Sequence, residues 1–276
     1  MTQIRTTPET KPESIQNFRL SVQVSLTGLS FLIAEEHSRK ICYHWERHFP
    51  SALTPDLLEE EIREQLESQE FQRPFSSITL IYSTELYTLV PRDLFDPKRS
   101  SDYLKFNAKI LPGDFIAHDD VDHSPVVVVY VPLMNINNLL FDFFGSFQYF
   151  HISTLLIGHF DHEFKNDTTD KVVINLYETA FDLLAYSKGG LQMCNRFSYD
   201  APEDVAYYVL FSLEQLGMSP DRVPLLLSGK IDEKDPLFEL LYTYVRDVSL
   251  YAASSSLDLD GLTVAPQSEL SLKLSL

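Results

Sequence analysis

The sequence predicts an α/β protein made of two similar halves, each a mixed β-sheet flanked by helices. Three observations carry this prediction. Strand-like and helix-like patterns alternate along the middle of the chain. The run VVVVYVP (Val126–Pro132) is apolar without interruption, as expected of a strand covered on both faces. The opening hairpin, LSVQVSLTGLSFLIAEE, has a counterpart starting at Val172, VVINLYETAFDLLAYSKGG, with the same plan of strand, short polar break, strand and turn. Gln23 and Asn175 occupy equivalent places in the two copies. A chain of 276 residues is long enough to give both halves a core.

Residues 1–16 are rich in Thr, Pro, Glu and Lys and read as a disordered tail. Leu20–Leu26 and Leu29–Ala34 then form a hairpin, with ICYHWERHF as a third strand. Thr54-Pro55 supplies an N-cap and a first-turn proline. Leu58, Ile62 and Leu66 follow at helical spacing, with glutamates on the solvated side. SSITLIYS and LYTLVP are two further strands. The stretch from Arg92 to Pro125 is irregular apart from a short helix near Ser101–Ala108. After VVVVYVP come a helix in NINNLLFDFFGSF, a short strand in YFHIS and a helix in TLLIGHF.

The second half begins with two or three strands in KVVINLYETAFDLLAYSKGGLQMCNRFSYD, turning at Lys188-Gly189-Gly190. Asp200 and Glu203 predict a capping box for the next helix, which Gly217 ends. VPLLLSG is a buried strand, and DPLFELLYTYVRDV a final helix. The expected divisions are 17–165 and 166–252 for the halves, with 253–276 a C-terminal tail, docking segment or edge strand.

Composition narrows the function. The formal net charge of −18, with no clustered Lys/Arg stripe, argues against nucleic acid and anionic lipid as partners. Cys42 and Cys194 are the only cysteines, and both read as reduced, buried thiols rather than a disulfide framework. The N-terminus has no apolar signal region, and no apolar run approaches the ~20 residues that span a bilayer. A cytoplasmic protein is the expectation.

The duplicated hairpins resemble the actin-like ATPase superfamily, whose halves are ribonuclease-H-like. VVVVYVPLMNINNLLFDFFGSFQYFHISTLLIGHF and SSITLIYSTELYTLVPRDLF are similar to stretches in the actin-like components of type IV pilus and type II secretion machines. More narrowly, NRFSYDAPEDVAYYVLFSLEQLG and VPLLLSG resemble a bacterial family of unknown function within that superfamily. The resemblance implies an inter-half cleft. In active members of the superfamily an Asp ends the first strand of each half and orients hydrated Mg²⁺, while Gly and Thr or Ser in the turn accept phosphate.

Matched to that pattern, the first Asp position is Gln23, the Gly position Ser25 and the next polar position Leu26. In the second hairpin they are Asn175 and Tyr177. The glycine pair near the adenosine is reduced to Ser228-Gly229. An amide oxygen lacks the negative charge, and Tyr177 obstructs a phosphate. These departures predict a degenerate cleft with no catalytic residue, no cofactor and no metal, in a scaffold or protein-binding module. The alternative is a divergent nucleotide-dependent phosphotransferase using displaced acids such as Asp182 or Glu178.

Other candidates weigh less. His118–His123 (HDDVDH) holds metal-ligand types, but its simpler reading is a solvated acidic loop. His159, Asp161, His162 and Glu163 diverge around a helix. Lys188-Gly189-Gly190 lacks the spacing of a phosphate loop and reads as a hairpin turn. His44 lies two residues from Cys42 without a family-specific spacing. Tyr207-Tyr208 and Leu140–Phe144 are candidate partner anchors; Phe141 and Phe144 read as helix core, which leaves Phe143 as the exposed contact for an unknown protein partner.

Overall fold

Thr54 caps the first helix as expected: its hydroxyl accepts from the Leu57 amide at 3.3 Å, and Leu58, Ile62 and Leu66 are buried. That helix, α1 (Pro55–Leu66), lies between strands of the first half. The computed structural model describes residues 17–106, 110–253 and 264–276. The expected disordered tail at 1–16, part of the predicted Ser101–Ala108 helix and residues 254–263 of the C-terminal tail lie outside the described residues.

The first sheet contains β1 (Phe18–Ser25), β2 (Gly28–Glu35), β3 (Ile41–His48), β4 (Phe75–Tyr82) and β8 (Gln148–His151), in the order β3-β2-β1-β4-β8. β1–β2 and β2–β3 are antiparallel; β1–β4 and β4–β8 are parallel. The second sheet has the same plan, with β9 (Lys171–Leu176), β10 (Ala180–Ser187), β11 (Gly190–Ser198), β12 (Pro224–Gly229) and β13 (Asp247–Leu250) in the order β11-β10-β9-β12-β13. Its pairings repeat the antiparallel and parallel pattern strand for strand. The structure is thus a duplicated mixed-sheet α/β fold.

The helices cover these sheets. α3 (Met134–Phe144) packs with α1, and α5 (Pro202–Leu216) with α6 (Pro236–Tyr244). α4 (Ile152–Glu163) follows the last strand of the first sheet, and α7 (Leu270–Leu274) is the last helix after β13; the two pack together. Alternate residues of β9 feed different cores: Val172, Ile174 and Leu176 join α5 and α6, while Val173 joins the cluster containing α4 and α7 residues. Burial on both faces explains why this strand has almost no polar alternation.

Several expectations change. Asp247–Leu250 is a parallel strand, hidden in the sequence because its length and mixed polarity merge with the preceding helix. Leu270–Leu274 is a short helix, not an edge strand; its leucines face the interior instead of alternating across a sheet. α5 is capped by Asp204 rather than by Asp200 and Glu203, its carboxylate accepting from the Asp200 and Ala201 amides at 3.0 Å each. Ala117–Asp120 is strand β6, not a loop, and pairs antiparallel with β7 (Val126–Tyr130). β5 (Tyr87–Pro91) flanks β7 on the other side, completing a three-stranded sheet inserted between β4 and α3. The short helix is α2 (Ser100–Leu104).

Asp119 ties this inserted sheet to the first half. It is 8% exposed and accepts from Tyr130 Oη at 3.1 Å, the His151 amide at 2.8 Å and Thr154 Oγ1 at 2.7 Å. Burial pushes its carboxyl up to about 6 despite those hydrogen bonds. His151, also buried, caps α4: Nδ1 accepts from the Ser153 amide at 3.2 Å while Nε2 faces the Thr84 carbonyl at 3.1 Å. Burial pushes this imidazole down to about 3.

The two groups act on stability with opposite signs. Asp119 has a raised folded pKa, so its contribution is complete below about pH 4 and lost as pH rises through about 6. His151 has a lowered one, so its contribution is complete above about pH 6.5 and lost as pH falls towards about 3. Asp119→Asn removes the first slope. Relative to the parent chain, its urea-unfolding free energy is expected to climb by up to about 1.4 kcal/mol per unit between pH 4 and 6. A pH-independent difference would contradict an ionising, buried Asp119.

Candidate functional site

The register of each sheet lines up a row of side chains beside its first turn. In the first half Gln23 pairs with Ser30, and Ser30 with Glu46. In the second, Asn175 pairs with Asp182, and Asp182 with Arg196. Ser25 and Gly28 close the first turn where Tyr177 and Ala180 close the second, so the proposed repeat equivalence holds residue by residue. Residues of both rows line one cleft between the halves, together with Ser25, Tyr177, Gly229, Lys230, Glu269 and Ser271.

The first turn spends its polar groups on itself. Ser25 Oγ accepts from the Thr27 amide at 3.3 Å and donates to the Gly28 carbonyl at 3.2 Å. Leu26 is 36% exposed at the turn, and its carbonyl accepts from the Leu53 amide at 2.7 Å.

The second row is a closed network. Ser228 Oγ donates to Asn175 Oδ1 at 2.9 Å, Asn175 Nδ2 donates to Tyr177 Oη at 2.6 Å, and Tyr177 Oη donates to Asp182 Oδ2 at 2.6 Å. Arg196 Nη1 pairs with the other Asp182 oxygen at 3.5 Å while its guanidinium lies over the Tyr177 ring, 4.5 Å from the centroid. Asp182 is fully buried; burial raises its carboxyl, opposed by Arg196 and the Tyr177 hydroxyl. Burial and then the Asp182 carboxylate raise the Tyr177 phenol. Both polar atoms of the Asn175 amide are therefore engaged within the row, and Asp182 is held in an ion pair.

The C-terminal segment occupies the cleft. The Gly229 amide donates to the Gln267 carbonyl at 2.8 Å, and Gln267 Nε2 donates to the Ile231 carbonyl at 2.8 Å. Ser271 Oγ donates to Gln23 Oε1, so the Gln23 amide faces the tail. Leu270 and Leu272 are buried against the first half. Lys273 Nζ turns back to the Ala265 and Pro266 carbonyls at 2.8 and 3.1 Å, and burial pushes it down to about 8. The cavity that remains is about 70 Å³.

Lys230 joins the halves across the mouth. Its Nζ lies 2.9 Å from Glu46 Oε2 and 2.9 Å from Glu178 Oε1. Glu46, His44, Lys230, Arg196, Gln267, Glu269 and Ser271 were not among the sequence-derived site residues. The alternation that puts His44 and Glu46 on one face of β3 was visible in the chain. The convergence of the tail on Gln23 and Gly229 was not, since Ser271 and Gln23 come from opposite ends of the sequence and Gln267 lies well beyond the strand that Gly229 ends.

The remaining candidates resolve differently. His118–His123 is divided by the pleat of β6: Asp119 points inward, and among the described residues no metal-sized cluster forms there. His159 Nε2 is 2.6 Å from Tyr251 Oη, an aromatic and polar contact within the fold. Lys188 and Gly189, both with positive φ, form the β10–β11 turn. Cys194 is buried, but Cys42 is exposed because its side of β3 faces away from the α1 core. Phe143 is 37% exposed; Phe141, expected in the core, is 64% exposed because α3 turns it outward, whereas Phe144 packs edge-on against Phe75. Tyr207 is exposed and Tyr208 stacks on Phe197.

A model of a family described as protein of unknown function, DUF3822, matches residues 7–248, and the chain belongs to this family. No curated protein matches it. Among solved structures it is similar to a Bacteroides thetaiotaomicron protein with actin-like ATPase fold and unknown function, at 18% identity, covering 95% of this chain and 96% of that one with a TM-score of 0.78. It is also similar to the PilM-PilN type IV pilus biogenesis complex, at 12% identity, covering 93% and 97% with a TM-score of 0.62. The fold is that of the actin-like ATPases, with ribonuclease-H-like mixed sheets.

A magnesium-bound nucleotide does not fit the residues present in this arrangement. Small-molecule sites occupy roughly 300–1,000 Å³, against about 70 Å³ here. The Tyr177 side chain stands at the second turn, and Gln267 holds the Gly229 amide.

Because Asp182 is buried, removing its cation strands a charge. Arg196→Met is expected to lower unfolding free energy by about 3–5 kcal/mol. Asp182→Leu combined with Arg196→Met should recover most of that loss in urea denaturation. A loss below about 1 kcal/mol for the single variant would place Asp182 in its neutral form.

Proposed function

We propose that this protein is a non-catalytic actin-like scaffold, a protein-binding module built on a degenerate nucleotide cleft. The observation that carries the reading is the C-terminal segment seated between the halves, with Gln267 on Gly229 and Ser271 on Gln23. Amides at both Asp positions support it, since neither supplies the negative charge that orients a hydrated cation. On this reading residues 17–165 and 166–252 are the two halves, and 253–276 is a tail that docks between them. Catalytic residue, cofactor and nucleotide-bound metal are all absent from the proposal.

The partner is another protein. PilM, in the similar structure, is one component of a PilM-PilN complex, which favours an assembly role for the shared frame. Phe143 is the proposed contact, and its neighbour Phe141 extends the exposed apolar face of α3. The net charge of −18 disfavours nucleic acid. No helix among the described residues is long and apolar enough to cross a membrane; we place the protein in the cytoplasm.

Isothermal titration with Mg·ATP is expected to give no saturable heat, and thermal-shift screening no nucleotide-dependent rise. A micromolar dissociation constant accompanied by turnover would overturn the scaffold reading in favour of a divergent phosphotransferase. Phe143→Ala is expected to leave the melting temperature within about a degree, because exposed substitutions change stability by roughly 0.5 kcal/mol or less. It should reduce co-purification of partners from the native cell at least several-fold, and an unchanged set would remove Phe143 from the contact surface.

A further inference from the structure

The mouth of the cleft carries a second donor set that the scaffold reading does not use. His44 and Glu46 are two residues apart on β3 and project from the same face. Glu269, from the C-terminal segment, meets them, and one donor atom from each side chain lies within 4.8 Å of the others.

Two features beyond proximity point to a cation. The Glu269 side chain is 8% exposed, and its Oε1 lies 3.8 Å from His44 Nε2, beyond hydrogen-bond reach. His44 Nε2 is itself shut off from solvent and has no hydrogen-bond partner. The local charge agrees: Glu269 lies beside Glu46, and the Lys230 ammonium is shared between Glu46 and Glu178.

We propose that His44, Glu46 and Glu269 bind a divalent transition-metal ion of the zinc type, which fastens the C-terminal segment across the cleft. One imidazole and two carboxylates suit zinc, whereas calcium and magnesium prefer oxygen-only sets. Tetrahedral bonds of about 2.0–2.2 Å bring donors to about 3.4 Å from one another, a contraction that rotations of the two glutamate side chains can supply. Lys230 keeps Glu178 when the ion takes Glu46. Three protein ligands leave a fourth position for water. The site uses other side chains than the nucleotide positions Gln23 and Asn175 but lines the same cleft, and it rests on the reading that the C-terminal segment is seated there.

The test is titration of untagged, EDTA-stripped, full-length protein with ZnCl₂ by isothermal calorimetry. One ion per chain is expected, with a micromolar or tighter dissociation constant. Binding should weaken at least tenfold in His44→Gln and in Glu269→Gln, and stay unchanged in Cys42→Ser and in the His118→Ala, His123→Ala double variant. Zinc should also slow carboxypeptidase digestion of the parent chain but not of Glu269→Gln. Matched circular dichroism of the metal-free proteins separates lost ligation from lost folding, and Glu46→Gln, at an exposed position, serves where either variant misfolds. No zinc uptake, or uptake of equal affinity in His44→Gln and Glu269→Gln (an adventitious ion only), would overturn the proposal.

Discussion

Gly229 has no room for a side chain. A Cβ at that position would lie 2.1 Å from the Leu176 carbonyl oxygen, and its φ of +88° is one that other residues rarely adopt. This close approach ends β12 tight against β9 and allows the Lys230 amide to cap the Leu176 carbonyl at 3.0 Å. It also turns the Gly229 amide towards Gln267 and sends the Lys230 side chain to Glu46 and Glu178. The Gln267 contact of the tail and the Lys230 bridge between the halves both start from that close approach.

The two halves share a topology and differ in what their equivalent rows contain. Ser30 stands where Asp182 does, and Glu46 where Arg196 does. The second row neutralises itself through the Asp182–Arg196 pair and the Tyr177 hydroxyl. The first leaves Glu46 to find its cation across the cleft at Lys230. Buried pairs of this kind contribute little net stability over apolar packing. Their effect is geometric: they hold Tyr177 and Asn175 in one arrangement. The inserted sheet is anchored in a comparable manner, by the three hydrogen bonds that Asp119 accepts.

Much of the frame was legible in the chain. VVVVY announced a buried strand because both of its faces meet apolar cores. Thr54-Pro55 and Gly217 marked helix ends through local chemistry, a capping hydroxyl and a left-handed glycine with φ of 66°. The repeat of the hairpins led to the correct fold, since two strands and a turn keep their pattern when motif residues drift. Where local signals were short or mixed, expectation failed. DVSL looked like the end of a helix, and AHDD like an acidic loop, because four residues carry too little periodicity to compete with their flanks.

Residue types and their order were enough to establish the duplicated α/β plan, and to put the amides Gln23 and Asn175 and the bulk of Tyr177 beside its two equivalent turns. They could not establish that LSLKLSL folds into a helix buried against β1, that Ser271 reaches Gln23, or that His44 and Glu46 meet Glu269. Each of those contacts joins side chains more than two hundred residues apart. Short-range periodicity reports only which face of an element is apolar, and which distant segment covers that face is decided when the whole chain packs.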